Sequence, residues 1–258
     1  MSKISVDGAE IYYEISGDPK TAKRWVTVIN GLVDLSQFRE QLWNPTPDSD
    51  TAILFFDFRG QGNSSAFRQF SFLDLVEDIV YLWNKLGINQ SSLVTVCIGC
   101  NIALYLATFY SFRTEKLFLI NPSPAKKWYK LGFYDWDEDY DSILHRSILL
   151  LYPSHSYDAI GYARYTKRLM ETTDVIQRRA FLRTTIHSLD IEDLLPKISI
   201  PTKIIHGSAD GLIDPQVSDY LAANIFGAEI VKIPGVGHSL FGNLVLNENV
   251  VFKQVFAT

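Results

Sequence analysis

The sequence contains few cysteines and no dense run of basic residues. Its 258 residues include two cysteines, which are too few for the disulfide framework of a small secreted protein. The formal net charge of −5 argues against nucleic acid or an anionic membrane as a general partner. No apolar signal-peptide segment follows Met1, so we expect a cytoplasmic protein.

Long uncharged stretches are also scarce, and the one that approaches the length of a membrane span is residues 93–110. Its first half is β-branched, its second half has a helical apolar pattern, and it contains Thr95, Gly99 and Asn101. We therefore expect a buried strand followed by a buried helix, with no membrane span. The overall composition, 47% hydrophobic and 21% charged, is typical of an ordinary globular protein.

Short β-branched runs alternate with helical patterns, which predicts a mostly parallel sheet with helices on both faces. Asp7-Gly8 is a strong signal for the turn of an opening hairpin. Apolar residues spaced three and four apart predict a helix from Phe72 to Leu86 that ends at Gly87. The predicted strands are 4–6, 10–15, 25–29, 52–56, 94–96, 116–120, 201–207 and 228–233, and the further core helices are 101–109 and 247–256.

Residues 123–193 interrupt this alternation. The stretch begins with a cluster of aromatic and charged residues and continues with helical patterns. It predicts a helical cap inserted into one core domain, which then consists of residues 1–122 and 194–258.

The most informative segment is residues 93–104, where a β-branched run ends at Cys97, turns at Gly99 and continues as a helix. This is the layout of a nucleophile elbow, a strand-to-helix turn that exposes a reactive side chain. The start of the following helix carries partial positive charge, which favours a thiolate.

Together with four other motifs in order, this elbow makes the chain resemble the α/β-hydrolase superfamily over essentially its whole length. The resemblance implies the α/β-hydrolase fold, a mostly parallel central sheet flanked by helices with an inserted helical cap. The four other motifs are Asn30-Gly31, the segment 57–64, Gly207-Ser208-Ala209-Asp210 and Pro234-Gly235-Val236-Gly237-His238.

Within this resemblance three side chains are candidates for a catalytic triad, in the family's order of nucleophile, acid and base. Cys97 stands where the family has serine, and His238 is the candidate general base. Asp210 is the candidate acid that fixes the tautomer of the imidazole, with Asp214 as its rival. The resemblance also implies an oxyanion hole formed by the backbone N–H groups of Leu32 and Ile98.

Three departures distinguish the chain from a plain esterase: Asn30 replaces the usual histidine, Thr95 replaces a glycine and crowds the elbow, and Cys97 replaces serine. An elbow cysteine resembles polyhydroxyalkanoate synthases, dienelactone hydrolases and some natural-product thioesterases. This resemblance implies cleavage of a thioester or ester through an acyl-cysteine. The first alternative is an acyltransferase or cyclase that passes the acyl group to a hydroxyl or amine. The second is a non-catalytic ligand-binding protein on the same fold.

The expected partner is a small-molecule acyl substrate, carried on coenzyme A or an acyl carrier protein, and no metal or organic cofactor is required. The aromatic residues of the cap are candidates to line an acyl pocket, namely Trp128, Tyr129, Phe133 and Trp136. Asp57 and Arg59 are expected to satisfy backbone groups of their loop. Cys97 and Cys100 form a C-x-x-C motif, for which redox catalysis and a disulfide that switches off the nucleophile are alternatives.

Overall fold

A nine-stranded β-sheet organises the residues that the computed structural model describes, which are 2–31, 47–130, 184–185 and 190–238. The strands are β1 (Ser2–Val6), β2 (Ala9–Ser16), β3 (Arg24–Ile29), β4 (Thr51–Phe56), β5 (Ser65–Ala66), β6 (Ser91–Val96), β7 (Thr114–Ile120), β8 (Thr202–Gly207) and β9 (Glu229–Ile233). Their order is β1-β2-β4-β3-β6-β7-β8-β9, and β5 pairs with β2 outside this path. The pairs β4–β3, β3–β6, β6–β7, β7–β8 and β8–β9 are parallel, whereas β1, β4 and β5 each pair antiparallel with β2.

Three α-helices belong to the described residues: α1 (Phe72–Leu86), α2 (Gly99–Phe109) and α3 (Gln216–Asn224). Single 3₁₀ segments occur at Ser111–Arg113, Lys126–Trp128 and Glu192–Lys197. In α1 the side chain of Ser71 accepts from the backbone of Asp74, whose carboxylate accepts in return, and Gly87 ends the helix in the left-handed conformation. Within the described part of the chain, no helix is both long and apolar enough to cross a membrane.

The predicted parallel sheet and its opening hairpin are confirmed, and so are the helices at 72–86 and 101–109. Neither β5 nor α3 was predicted. The helix predicted at 247–256 and most of the cap predicted at 123–193 lie outside the described residues.

Close packing fixes α2 against the end of β3. A β-carbon added at Gly99 would lie 2.5 Å from the carbonyl oxygen of Ile29 and 2.7 Å from that of Asn30. Glycine is therefore the residue that lets this helix approach the sheet backbone. The result is that the turn preceding α2 lies directly over the carboxyl end of β3.

A buried ion pair attaches the loop after β4 to α1. Asp57 accepts from the backbone N–H of Asn63 at 2.9 Å, as expected of a loop-stabilising carboxylate. The same expectation for Arg59 is wrong, because its Nε and Nη2 donate to the two oxygens of Asp78 at 2.7 and 2.6 Å. Guanidinium and carboxylate groups match geometrically in such a bidentate pair, and both side chains are buried.

Candidate active site

Four polar side chains that follow consecutive parallel strands lie at the carboxyl edge of the sheet. Cys97 follows β6, Asn121 follows β7, Asp210 follows β8 and His238 follows β9. Open parallel sheets form their sites at this edge, because the strand ends bring residues distant in sequence into one row. All four side chains are buried.

Cys97 occupies a left-handed backbone conformation, with a φ of 51°, between the last residue of β6 and the first turn of α2. Its N–H donates to the carbonyl of Ile120 at 2.9 Å, and its own carbonyl accepts from the N–H of Cys100 at 3.0 Å. Residues with a β-carbon rarely adopt this conformation, and such strain concentrates at functional sites. The sharp turn predicted from the sequence is therefore present at the cysteine itself.

The hydroxyl of Thr95, two residues before Cys97, contacts Phe118 and Cys100. Thr95 Oγ1 donates to the carbonyl of Phe118 at 3.1 Å and lies 3.2 Å from the sulfur of Cys100. Cys100 and Cys97 are both free thiols. Burial raises the pKa of the Cys100 thiol far above its ordinary value, so this second cysteine stays protonated.

Gly31 brings the backbone after β3 against the elbow. A β-carbon at this position would lie 3.1 Å from the carbonyl oxygen of Val96 and 3.3 Å from the β-carbon of Cys97. Among the described residues, no backbone hydrogen bond uses the N–H of Ile98. Leu32, the second donor predicted for an oxyanion hole, lies outside the described residues.

Asp210 has hydrogen bonds to both carboxylate oxygens. Oδ1 accepts from the backbone N–H groups of Leu212 and Ile213 at 2.8 and 2.9 Å. Oδ2 lies 2.7 Å from Nδ1 of His238 and 3.0 Å from Nε2 of His206. Burial alone raises the pKa of Asp210, but the charges and hydrogen bonds of the two histidines lower it well below its usual range.

His238 lies between Asp210 and Cys97. Burial lowers the pKa of the imidazole, whereas the hydrogen-bonded Asp210 carboxylate and the nearby Cys97 sulfur raise it well above its ordinary value of 6.5. The raised pKa means that the surroundings stabilise the imidazolium form. His238 is thus paired with Asp210 and lies near the sulfur of Cys97.

A second histidine, His206 near the end of β8, contacts the same Asp210 carboxylate. Its Nδ1 lies 2.7 Å from the hydroxyl oxygen of Ser218 on α3. The sequence places His206 four residues before Asp210, which is a usable signal for their proximity. Nothing in the sequence indicates Ser218, because its contact depends on how α3 packs against β8.

Asn121 positions the segment that carries His238. With a φ of 46°, it donates from its side-chain nitrogen to the backbone carbonyl of His238, and its side-chain oxygen accepts from the N–H of Gly207 at 3.0 Å. A β-carbon at Gly207 would lie 2.4 Å from the carbonyl oxygen of Val236. One buried amide and one close backbone contact therefore place the histidine segment against β8.

The rival acid Asp214 has a different role. Its Oδ1 accepts from the backbone N–H of Gln216 at 3.0 Å, which stabilises the start of α3. His238 pairs with Asp210 instead. Within the described part of the chain, no group of three or more histidine, cysteine, aspartate or glutamate side chains is arranged to hold a metal ion.

Two of the four candidate pocket aromatics are described. Trp128 donates from Nε1 to Glu192 at 2.7 Å, and its ring packs against Tyr220 with a centroid distance of 5.1 Å. Tyr129 is buried and its backbone pairs with Ile213, near the Asp210 loop. The other two candidates, Phe133 and Trp136, lie outside the described residues.

Comparisons with known proteins match most of the chain. A sequence model of the Hydrolase_4 family, described as serine aminopeptidase S33, matches residues 20–244. A Caulobacter protein named "Putative carbamate hydrolase RutD" is 26% identical over 253 residues, covering 92% of this chain and 91% of that protein. 3-Oxoadipate enol-lactonase 1 of Acinetobacter baylyi is 25% identical over 196 residues, covering 71% of this chain and 72% of that protein.

Among solved structures, the chain is similar to MGS-M2, an α/β-hydrolase enzyme from a Medee basin deep-sea metagenome library. The TM-score is 0.82 at 22% sequence identity, and the match covers 100% of this chain and 98% of that one. Identity at this level speaks for a shared fold and leaves the chemistry to be argued from the residues of the site.

Proposed function

This chain belongs to the Hydrolase_4 (serine aminopeptidase S33) family and is an α/β-hydrolase, and from this premise we propose that it cleaves a thioester or ester through an acyl-cysteine at Cys97. His238 is the general base and acid of the proposed reaction, and Asp210 orients it. The fold class predicted from the sequence motifs is confirmed by the family match and the structural neighbour.

The observation that carries the proposal is the pairing of His238 with Asp210 at 2.7 Å beside a cysteine in a left-handed turn. A cysteine that had lost its function in an elbow would leave no reason for a buried imidazole and carboxylate to face it. A thiol also needs such an imidazole to react efficiently near neutral pH, because a free cysteine has a pKa of about 8.5.

In the proposed first half-reaction His238 takes the thiol proton of Cys97, the sulfur forms a bond to the substrate carbonyl carbon, and the carbonyl oxygen takes up the π electron pair as an oxyanion. The open N–H of Ile98 is one donor to this oxygen, and Leu32 is the proposed second donor. The bond to the leaving thiol or alcohol then breaks, and His238 supplies the proton that the leaving group takes. Acyl-cysteine remains, a thioester whose formation from a thioester substrate exchanges one C–S bond for another.

In the second half-reaction water attacks the acyl-cysteine, His238 accepts a proton from the water, and the sulfur of Cys97 leaves. Asp210 keeps Nδ1 of the imidazole protonated in both halves, so that Nε2 is free to exchange protons with sulfur and water. The two relatives are named for a hydrolase and a lactonase, which favours water as the acceptor over a hydroxyl or amine. The lactonase also makes cyclic esters reasonable substrates to include.

The proposal is tested by intact-protein mass after brief exposure to acyl thioesters, aryl esters and lactones. The thioesters include acyl-coenzyme A and acyl carrier protein derivatives. Wild-type protein should gain the mass of one acyl group, and Cys97→Ala should gain none. Asp210→Asn should slow adduct formation by about 10²-fold or more, since the imidazole loses its orienting partner. Asp214→Asn is the matched control and should react at the wild-type rate.

Decay of the adduct distinguishes the possible acceptors. Loss of the acyl group in buffer alone supports a hydrolase, whereas loss only after addition of an alcohol or amine identifies an acyltransferase. Equal adducts on wild type and Cys97→Ala would overturn the assignment of the nucleophile. Small-molecule binding that survives Cys97→Ala, with no adduct from any donor, would instead identify a binding protein.

A further inference from the structure

The proposed reaction leaves one buried histidine beside the site without a role. His206 is fully buried at the end of β8 and contacts two polar side chains, Asp210 and Ser218. Its Nε2 lies 3.0 Å from the same carboxylate oxygen of Asp210 that His238 approaches at 2.7 Å. One oxygen of the acid thus faces two imidazoles.

The geometry fixes where the protons are. A carboxylate oxygen only accepts hydrogen bonds, so Nε2 of His206 and Nδ1 of His238 must each carry a proton toward Asp210. In a neutral His206 ring Nδ1 is then an acceptor, and the hydroxyl of Ser218 is its donor at 2.7 Å. In this neutral form Ser218 donates to His206, and His206 donates to Asp210.

We infer that His206, with Ser218 behind it, is a positioning residue that holds Oδ2 of Asp210 in place for His238. This inference rests on the function proposed above. Oδ1 is fixed by two backbone N–H groups. Among the described residues, the only side chain besides His206 that holds Oδ2 is the imidazole of His238, which must itself be oriented. His206 and Ser218 belong to β8 and α3, two regular elements, so they connect the acid to a rigid frame.

Two substitutions separate the hydrogen bond from the packing. His206→Phe fills the volume of the ring but removes the donor. His206→Gln places an amide N–H at nearly the reach of Nε2 and restores the donor. Ser218→Ala keeps the histidine and removes only the hydroxyl that contacts its Nδ1. Thermal unfolding of each variant shows whether it is folded before its reactivity is compared.

The readout is the rate at which iodoacetamide alkylates Cys97 between pH 5 and 10, followed by intact mass. It needs no knowledge of the substrate, and Cys100 is fully buried with a strongly raised pKa, so it contributes little. His206→Phe should slow alkylation at pH 7 on the order of tenfold and move the midpoint of the pH–rate profile upward. His206→Gln should restore most of the rate, and Ser218→Ala should lose on the order of threefold.

A folded His206→Phe variant with the wild-type rate and midpoint would overturn the inference, and so would equal losses in the Phe and Gln variants. If His206→Phe does not fold, an unchanged profile in Ser218→Ala is the overturning result. His238→Ala distinguishes this failure from failure of the proposed function. If His238→Ala has the same pH–rate profile as wild type, the proposed triad itself is wrong. If His238→Ala changes the profile and His206→Phe does not, only the positioning role of His206 is wrong.

Discussion

At the scale of the single residue, the backbone of Cys97 shows that the elbow stores strain. Its φ of 51° places a β-carbon in the left-handed region, which costs about 1–2 kcal/mol for residues other than glycine. The strain persists because hydrogen bonds to Ile120 and Cys100 fix the turn from both sides. The geometry of the turn and local stability are therefore in conflict at this position.

Removing the strain should stabilise the protein. Cys97→Gly should have a free energy of unfolding about 1 kcal/mol higher than Cys97→Ala, because glycine adopts a positive φ without steric cost. At Cys100, which lies in α2, the order should reverse, with Ala about 1 kcal/mol more stable than Gly. Urea denaturation of the four variants measures both differences. The same order of Gly and Ala at the two positions would contradict a strained elbow.

From the sequence, a residue could be recognised as a candidate site residue only where a local motif surrounds it. Cys97, Asp210 and His238 each follow a strand and sit in a glycine-containing turn, so the sequence could nominate them. Asn121 is also next to a strand, but its importance comes from contacts with His238 and Gly207, which are 117 and 86 residues away. A single sequence contains no local signal for contacts of that kind.

At the scale of the element, the approach of α2 to β3 depends on one glycine. In an unconstrained helix Gly99→Ala would be stabilising by about 1 kcal/mol, because alanine is the better helix former. Here the added β-carbon would meet the backbone oxygens of Ile29 and Asn30 at 2.5 and 2.7 Å. Backbone atoms of a central strand have little freedom to move, so the helix or the strand must shift.

We expect Gly99→Ala to lower the free energy of unfolding by about 2 kcal/mol or more, in the range of other overpacked cores. Thr108→Ala, in the last turns of the same helix, is the control and should change stability by under about 1 kcal/mol. Thermal unfolding of the two variants gives the comparison. A Gly99→Ala protein as stable as wild type would show that the helix can move away from the strand without cost.

Elements were predictable to the extent that their burial leaves a pattern in the sequence. Helix α1 buries seven residues and shows its period clearly. Helix α3 buries only Val217, Ser218 and Leu221, one of them polar, so its apolar stripe is too weak to recognise. The insertion of β4 between β2 and β3 was likewise not predicted, because strand order depends on the packing of the whole sheet.

At the scale of the whole molecule, the ionisable groups with shifted pKa values predict how stability changes with pH. The pKa of Asp210 lies well below its usual range. In Asp74 burial raises the pKa, but hydrogen bonds from Arg68 and Ser71 lower it more, to about 2. A carboxyl with a lowered pKa stabilises the folded state above its unfolded pKa near 4 and loses that contribution as pH falls. His238 has a raised pKa, so its contribution is complete below pH 6.5 and is lost at alkaline pH.

The urea midpoint should therefore be highest between about pH 5 and 7 and should fall on both sides. Asp210→Asn should flatten both limbs, because it removes one low carboxyl pKa and the charge that raises the pKa of His238. Asp214→Asn should leave the curve unchanged in shape. Midpoints measured from pH 3 to 10 test this, and an Asp210→Asn curve parallel to that of wild type would be the contrary outcome.

The side-chain hydrogen bonds of Asn121 to His238 and Gly207 also depend on whether this asparagine deamidates. Loss of its side-chain nitrogen as ammonia would replace the donor to the His238 carbonyl with a negatively charged acceptor, and two oxygens would then face each other in a buried space. Asparagine usually degrades when the N–H of the following residue attacks its side-chain carbonyl. Here the following residue is Pro122, which has no backbone N–H. The amide on which the placement of His238 depends is thus protected from the common route of deamidation by the residue next to it.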